Sequence, residues 1–204
     1  MADIDLWSIE HACLEEGHRC ICGVDEAGRG PLAGPVCAAA VILPHDLLLP
    51  GLNDSKKITD KRRRELYDQI TEQAVAYSIA MVDEKVIDEI NILQATFSAM
   101  QQAVETLDVK PDIVLIDGNR APNLTISAKT IIKGDSLSAN IAAASILAKV
   151  TRDRFMENID QVYPRYGFSV HKGYGTKRHY EALREFGPCE IHRMSFLKKF
   201  YEKN

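Results

Sequence analysis

No apolar run in this chain approaches the roughly 20 residues that a membrane-spanning helix needs. Asp3, Asp5 and Glu10 stand where a secretory leader would place basic and then apolar residues, so a cytoplasmic protein with no membrane contact is expected. The 204 residues contain no internal repeat, low-complexity tract or flexible linker long enough to separate two domains. Aromatics are scarce at 7%, yet 46% of the residues are hydrophobic, enough to bury one core without disulfides. Disordered and fibrous classes are excluded. The five cysteines (Cys13, Cys20, Cys22, Cys37, Cys189) include no C-x-x-C pair and read as free thiols. His11, Cys13, His18, Cys20 and Cys22 are zinc-binding types at spacings that fit no zinc template. A strand would instead put Cys20 and Cys22 on one buried face. A basic excess is also missing, and the net charge of −4 argues against non-specific coating of nucleic acid. The balance is uneven, because the segment from residue 160 onward carries +4 and the rest −8.

The hydrophobic pattern alternates strands with helices. Cys20 to Val24 reads as a buried strand stopping at Asp25, and Val36 to Leu43 as a second strand. Thr59 is a plausible N-cap for a helix carrying Leu66, Ile70 and Ala74. Val75 to Val82 follows as a strand, Ile87 to Leu107 as mostly helix, and Ile113 to Ile116 and Thr125 to Ile132 as strands. Ser136 to about Asn158 is expected to be helical, then come a glycine-rich loop at His171 to Thr176 and shorter helices. This order implies an α/β or α+β domain whose mixed central sheet is flanked by helices.

Acidic residues recur where apolar strands end: Asp25 and Glu26, then Asp117, then Asp135. Ligand crevices of open α/β sheets lie at such ends. Carboxylates gathered there repel one another unless protons or cations compensate them, and oxygen-only ligands select Mg²⁺ or Mn²⁺ over zinc. Because neighbouring side chains on a strand point to opposite faces, Asp25 and Glu26 serve one site only if the strand breaks between them and Ala27-Gly28-Arg29-Gly30. Two metals held about 4 Å apart would activate water for phosphodiester hydrolysis. Turn-capping by each Asp is the competing explanation for any single carboxylate.

Six segments in fixed order resemble bacterial ribonuclease HII. They are Gly23 through Val36, Leu52-Asn53-Asp54-Ser55-Lys56-Lys57, Ile116-Asp117-Gly118-Asn119, Lys133-Gly134-Asp135, Ala142 through Arg154, and His171-Lys172-Gly173-Tyr174-Gly175-Thr176. The resemblance implies a ribonuclease H-like α/β fold over residues 17–204, with a C-terminal helical part from about residue 176. Residues 1–16 form a lead without a matching motif. It further implies an endoribonuclease, dependent on Mn²⁺ or Mg²⁺, acting on RNA–DNA hybrids and on duplex DNA with an embedded ribonucleotide. The cut would fall 5′ of the ribonucleotide, leaving 3′-hydroxyl and 5′-phosphate ends. Carried over by motif, Asp25, Glu26, Asp117 and Asp135 are the metal-binding carboxylates. Gly28, Arg29 and Gly30 contact the 2′-hydroxyl, and Tyr174 hydrogen-bonds it. A non-catalytic hybrid-binding module, or another two-metal nuclease or phosphatase, are the rival functions. No obligate protein partner is evident.

Phosphate contacts need cations or free donors, for which Lys56, Lys57, Ser145, Lys149 and Lys172 are the candidates. Asp153, four residues after Lys149, reads as a helix-surface ion-pair partner. The run Lys61-Arg62-Arg63-Arg64 reads as a solvated face. His171, His179 and His192 read as surface or loop residues, since metal-activated water needs no imidazole base. Phe196, Phe200 and Tyr201 are expected to cap the core from a terminal helix.

Overall fold

The computed structural model describes residues 5–52 and 58–202, so Lys56 and Lys57 lie outside the described residues. Five strands, β1 (Ile21–Ala27), β2 (Val36–Ile42), β3 (Ala76–Val82), β4 (Ile113–Asp117) and β5 (Ser127–Ile131), form one mixed sheet. Its order is β3-β2-β1-β4-β5, with β1, β4 and β5 mutually parallel and β2 and β3 antiparallel to their neighbours. Among the described residues seven α-helices accompany it: α1 (Ser8–Glu15), α2 (Asp60–Gln73), α3 (Glu84–Glu105), α4 (Ala139–Val162), α5 (Phe168–His171), α6 (Lys177–Phe186) and α7 (Met194–Tyr201).

Strand parity divides the core into two layers. On β2, Cys37, Ala39 and Val41 pack against α2 and α4. Val36, Ala38, Ala40 and Ile42 pack against α3 on the other face, joined by Cys20, Cys22 and Val24. The two cysteines share a face as expected. Both sheet faces are therefore apolar, which is why β2 reads as an unbroken hydrophobic run. Small residues let α4 lie close to the strands: a Cβ on Gly23 would stand 2.2 Å from the Asn140 carbonyl carbon. At Gly23 the contact is backbone on backbone, so even Gly23→Ala forces the helix outward.

Thr59 caps α2 by accepting the Arg62 N–H. Asn91 interrupts α3 with φ 68°, and its side chain receives the amides of Leu93 and Gln94, restarting the helix. The lead segment is built into the fold. Trp7 is buried in the α4 layer. The carboxylate of Glu10, fully buried, accepts from the Ser138 hydroxyl and from both the backbone and side-chain amides of Asn140. The Asn140 amide is one of the backbone donors a helix leaves unsatisfied at its start, so α1 caps α4 from outside. Burial pushes the Glu10 carboxyl above its ordinary value.

Three expectations are corrected. The basic run on α2 is bonded inward as well as solvated: Arg63 is buried against Asp60 and the Ile58 carbonyl, and Arg64 bridges Asp60 and Glu157. His171, His179 and His192 are buried at 8%, 0% and 2% exposure, because the chain after α5 folds over them. Asp153, at 4% exposure, is also inside, although its pairing with Lys149 at 2.7 Å is as expected. On α7, Leu197 is the fully buried residue, Phe200 stacks on Tyr180, and Tyr201 stays 44% exposed.

Candidate active site

The parallel register Cys22↔Val114 and Val24↔Ile116 brings the carboxyl ends of β1 and β4 side by side. Parity then decides which acids meet. Ile21 on β1 and Ile113 and Leu115 on β4 belong to the α4-side cluster. Asp25 and Asp117, at even spacing from these, share their face. The third acid arrives by a turn. After β5, Lys133 adopts a left-handed conformation (φ 60°). The Gly134 amide then donates to Asp117 Oδ1 at 2.7 Å. A Cβ at 134 would lie 2.6 Å from the Ile141 Cδ1 methyl, which would have to turn aside, so glycine suits the close turn that presents Asp135. One carboxylate oxygen from each of Asp25, Asp117 and Asp135 lies within 4.8 Å of the others.

Such a gathering is electrostatically costly. Burial, then the charges of Glu26 and Asp117, hold the Asp25 carboxyl well above the ordinary carboxylate range. The Ser145 hydroxyl and the Glu26 amide oppose that rise. Among the described residues no Lys or Arg pairs with Asp25 or Asp117. Three gathered carboxylate oxygens, with no nitrogen or sulfur ligand among them, fit a hard divalent cation and suit zinc poorly.

Glu26 sits differently from the expectation. The strand does not break after Val24 but runs on to Ala27, and Glu26 is outside the group of three whose oxygens lie within 4.8 Å, while its charge still bears on Asp25. Its Oε1 meets the Arg29 guanidinium at 3.3 Å. At the strand end it lines two clefts. One, about 310 Å³, also includes Phe97, Asp117, Asn119 and Arg120. The other, about 280 Å³, is lined by Gly28, Arg29, Gly30, Ser145, Lys149 and Tyr174. Gly28 holds φ +95°, and a Cβ there would lie 2.0 Å from Arg152 Nε, which ties this loop to α4. Tyr174 is 45% exposed at the mouth of the second cleft.

The lysines divide. Lys149 reaches the second cleft while paired with Asp153. The Lys172 ammonium is held at 2.8 Å by Glu157 and also donates to the Ser169 carbonyl. Asp153 is not among the gathered carboxylates.

Sequence reasoning missed two residues altogether. Arg152, 1% exposed, gives its whole guanidinium to backbone: Nε to the Pro35 carbonyl at 2.9 Å, and its two terminal nitrogens to Lys172 and Ala33. Arg193, fully buried, donates to the carbonyls of Gly34, Arg29 and Gly28 at 2.9, 3.0 and 2.6 Å. Arg152 lies four residues from both Ala148 and Met156 on the buried stripe of α4, a placement that signals an internal partner.

The family model described as Ribonuclease HII matches residues 22–199. A Ribonuclease HII of Caldicellulosiruptor bescii is 58% identical over 196 residues, covering 96% of this chain and 95% of the relative. That of Caldicellulosiruptor saccharolyticus is 57% identical, with 96% of each chain covered. Among solved structures, the ribonuclease H2 of Pyrococcus horikoshii OT3 superposes with a TM-score of 0.75 at 27% identity, over 91% of this chain and 100% of that one.

Proposed function

The chain belongs to the ribonuclease HII family, and from that premise we propose that its acidic edge hydrolyses the phosphodiester on the 5′ side of a ribonucleotide. It is an endoribonuclease acting on RNA in RNA–DNA hybrids; duplex DNA with a single embedded ribonucleotide is the proposed further substrate. The convergence of Asp25, Asp117 and Asp135 carries the reading.

In this reading Asp25, Asp117 and Asp135 hold Mg²⁺ or Mn²⁺, and Glu26, which lines one cleft with Asp117, adds its carboxylate at the strand end. The bound cations would supply an activated water and offset the negative charge that builds on the phosphate during in-line displacement, leaving 3′-hydroxyl and 5′-phosphate ends. Ser145 fixes Asp25 by hydrogen bonding. Lys149 and Arg29, with Lys56 and Lys57 kept as candidates from the sequence, supply phosphate contacts, whereas Lys172 acts on loop geometry through Glu157. Recognition falls to the second cleft. Its Gly28-Arg29-Gly30 backbone lets a sugar approach the peptide groups, and the Tyr174 hydroxyl offers the complementary partner for a 2′-hydroxyl that both donates and accepts.

The test is cleavage of a DNA duplex containing one ribonucleotide beside the all-DNA duplex and a continuous hybrid, with Mg²⁺ or Mn²⁺ and after chelation. Metal-dependent cutting of the first and third but not the second is expected. Equal cutting of the all-DNA duplex would remove the assignment. Tyr174→Ala is expected to lower cleavage at the single ribonucleotide at least tenfold.

A further inference from the structure

Behind the recognition cleft lies a polar assembly that touches no reacting atom. The Tyr174 carbonyl can only accept, so the His179 Nδ1 at 3.0 Å must donate to it. Burial holds His179 and His192 down to about 4, so both rings are neutral at working pH. A neutral His179 with its proton on Nδ1 has a bare Nε2. The His192 Nε2, 3.0 Å away, must then be the donor. That leaves His192 Nδ1 bare, and it accepts the Cys189 amide at 2.9 Å. The opposite chain, with His192 Nδ1 donating to the Cys189 carbonyl, would require His179 to carry two protons. One set of tautomers therefore satisfies every group in the relay. His171 supports the same loop, its Nδ1 accepting the Gly173 amide.

The next residue, Arg193, reaches the opposite wall. Its guanidinium ties together the Gly28, Arg29 and Gly34 carbonyls. Its amide donates to the Leu32 carbonyl, while the Leu32 amide donates to Gly173. Two adjacent residues thus grip both walls of one cleft, Arg193 the glycine-rich wall and His192 the tyrosine wall.

We propose that His192 and Arg193 are positioning residues that set the distance between Tyr174 and the Gly28-Arg29-Gly30 backbone, and so set the enzyme's ability to act on an isolated ribonucleotide. The proposal rests on the reading of that cleft as the 2′-hydroxyl reader. A continuous RNA strand offers a 2′-hydroxyl at every register, so a loosened cleft still finds one. An isolated ribonucleotide offers one register only, and there a misplacement of a fraction of an ångström is felt in full.

The experiment compares kcat/KM on the single-ribonucleotide duplex with that on a continuous hybrid, for Arg193→Lys, His192→Phe, His192→Gln and Tyr174→Ala in the full chain. Arg193→Lys keeps the charge but loses the fork that holds several carbonyls. His192→Phe keeps the ring volume without the donor, and His192→Gln returns an amide donor near Nε2. Thermal unfolding and Mn²⁺ titration of each variant accompany the rates. Arg193→Lys and His192→Phe are expected to lower the ratio of the two rates at least fivefold with the Mn²⁺ midpoint unmoved, and His192→Gln to restore at least half of the loss. Equal loss on both substrates, or an unchanged ratio in both variants, overturns the proposal. A ratio that Tyr174→Ala does not move defeats the reader assignment and the proposal together; one that moves for Tyr174→Ala alone defeats the proposal and leaves the reader standing.

Discussion

Two regions of this molecule handle buried charge in opposite ways. At the carboxyl ends of β1, β4 and β5, acids are gathered, and no basic side chain pairs with Asp25 or Asp117 among the described residues. Midway along α4 and in the C-terminal segment, Arg152 and Arg193 are buried with no carboxylate paired to them among the described residues, their donors spent on backbone carbonyls. Burial pulls Arg193 down to about 9, yet it remains cationic at neutral pH. The first region is incomplete without an external cation, and the second is complete as it stands. A site that must exchange a charged ligand stays electrostatically open, whereas a wall that must keep its shape closes every bond internally.

The sharpest way to break this contrast is to remove charge from each side. Asp135→Asn should lower activity about 1,000-fold or more, the scale of losing several kcal/mol of charge stabilisation at the reacting phosphate. The metal-free variant should melt no lower than the parent, because one of three mutually repelling groups is gone. Asp153→Asn, whose partner Lys149 is near solvent, should cost activity less than tenfold. Comparable losses in the two variants would move Asp153 into the metal-binding set. On the arginine side the stability effect reverses. Arg152→Met strands the carbonyls of Ala33, Pro35 and Lys172 and should cost roughly 3 kcal/mol in chemical denaturation, since buried acceptors left without donors each carry a desolvation penalty.

What was legible in the chain follows the same division. Asp25, Asp117 and Asp135 stand at the ends of apolar runs, and the period of two that defines a strand also defines its faces, so their meeting could be anticipated. The end of β1 was placed too early because glycine at 28 and 30 suggested a break, whereas the ladder to β2 carries β1 through Ala27 paired with Cys37. The positioning arginines and histidines were opaque for a different reason. All but one of the carbonyls that Arg152 and Arg193 hold are more than a hundred residues away, and a carbonyl has no signature in the sequence. His192 was read as a loop residue, since nothing local reveals that α6 and the segment before α7 close over it.

Metal addition sharpens the comparison at intermediate size. Raising Mg²⁺ or Mn²⁺ to a hundred times its dissociation constant should stabilise the protein by about 2.7 kcal/mol, read as a rise in melting temperature. Asp117→Asn should abolish most of that rise, and Arg152→Met should retain it on a lower baseline. A rise that survives Asp117→Asn would place the stabilising ion elsewhere.

The smallest effect concerns protons at the histidine relay. His179 and His192 have an ordinary value of 6.5 and are held by burial at about 4 in the fold. Between those values the unfolded chain binds protons that the folded rings refuse, so stability is full above pH 6.5 and is lost as pH falls toward 4. The groups facing the pair are His171, Tyr166 and Cys189, and the first of these shifts in the same direction and adds to the loss. From pH 7.5 to pH 5 each ring should contribute about 1 to 2 kcal/mol of lost stability by this linkage. His192→Phe removes one of the two proton acceptors, and its denaturation midpoint should therefore fall less steeply over that interval than the parent's. Parallel slopes for parent and variant would mean that folding leaves the proton affinity of His192 unchanged, and burial would then not be what keeps its ring neutral in the relay to Tyr174.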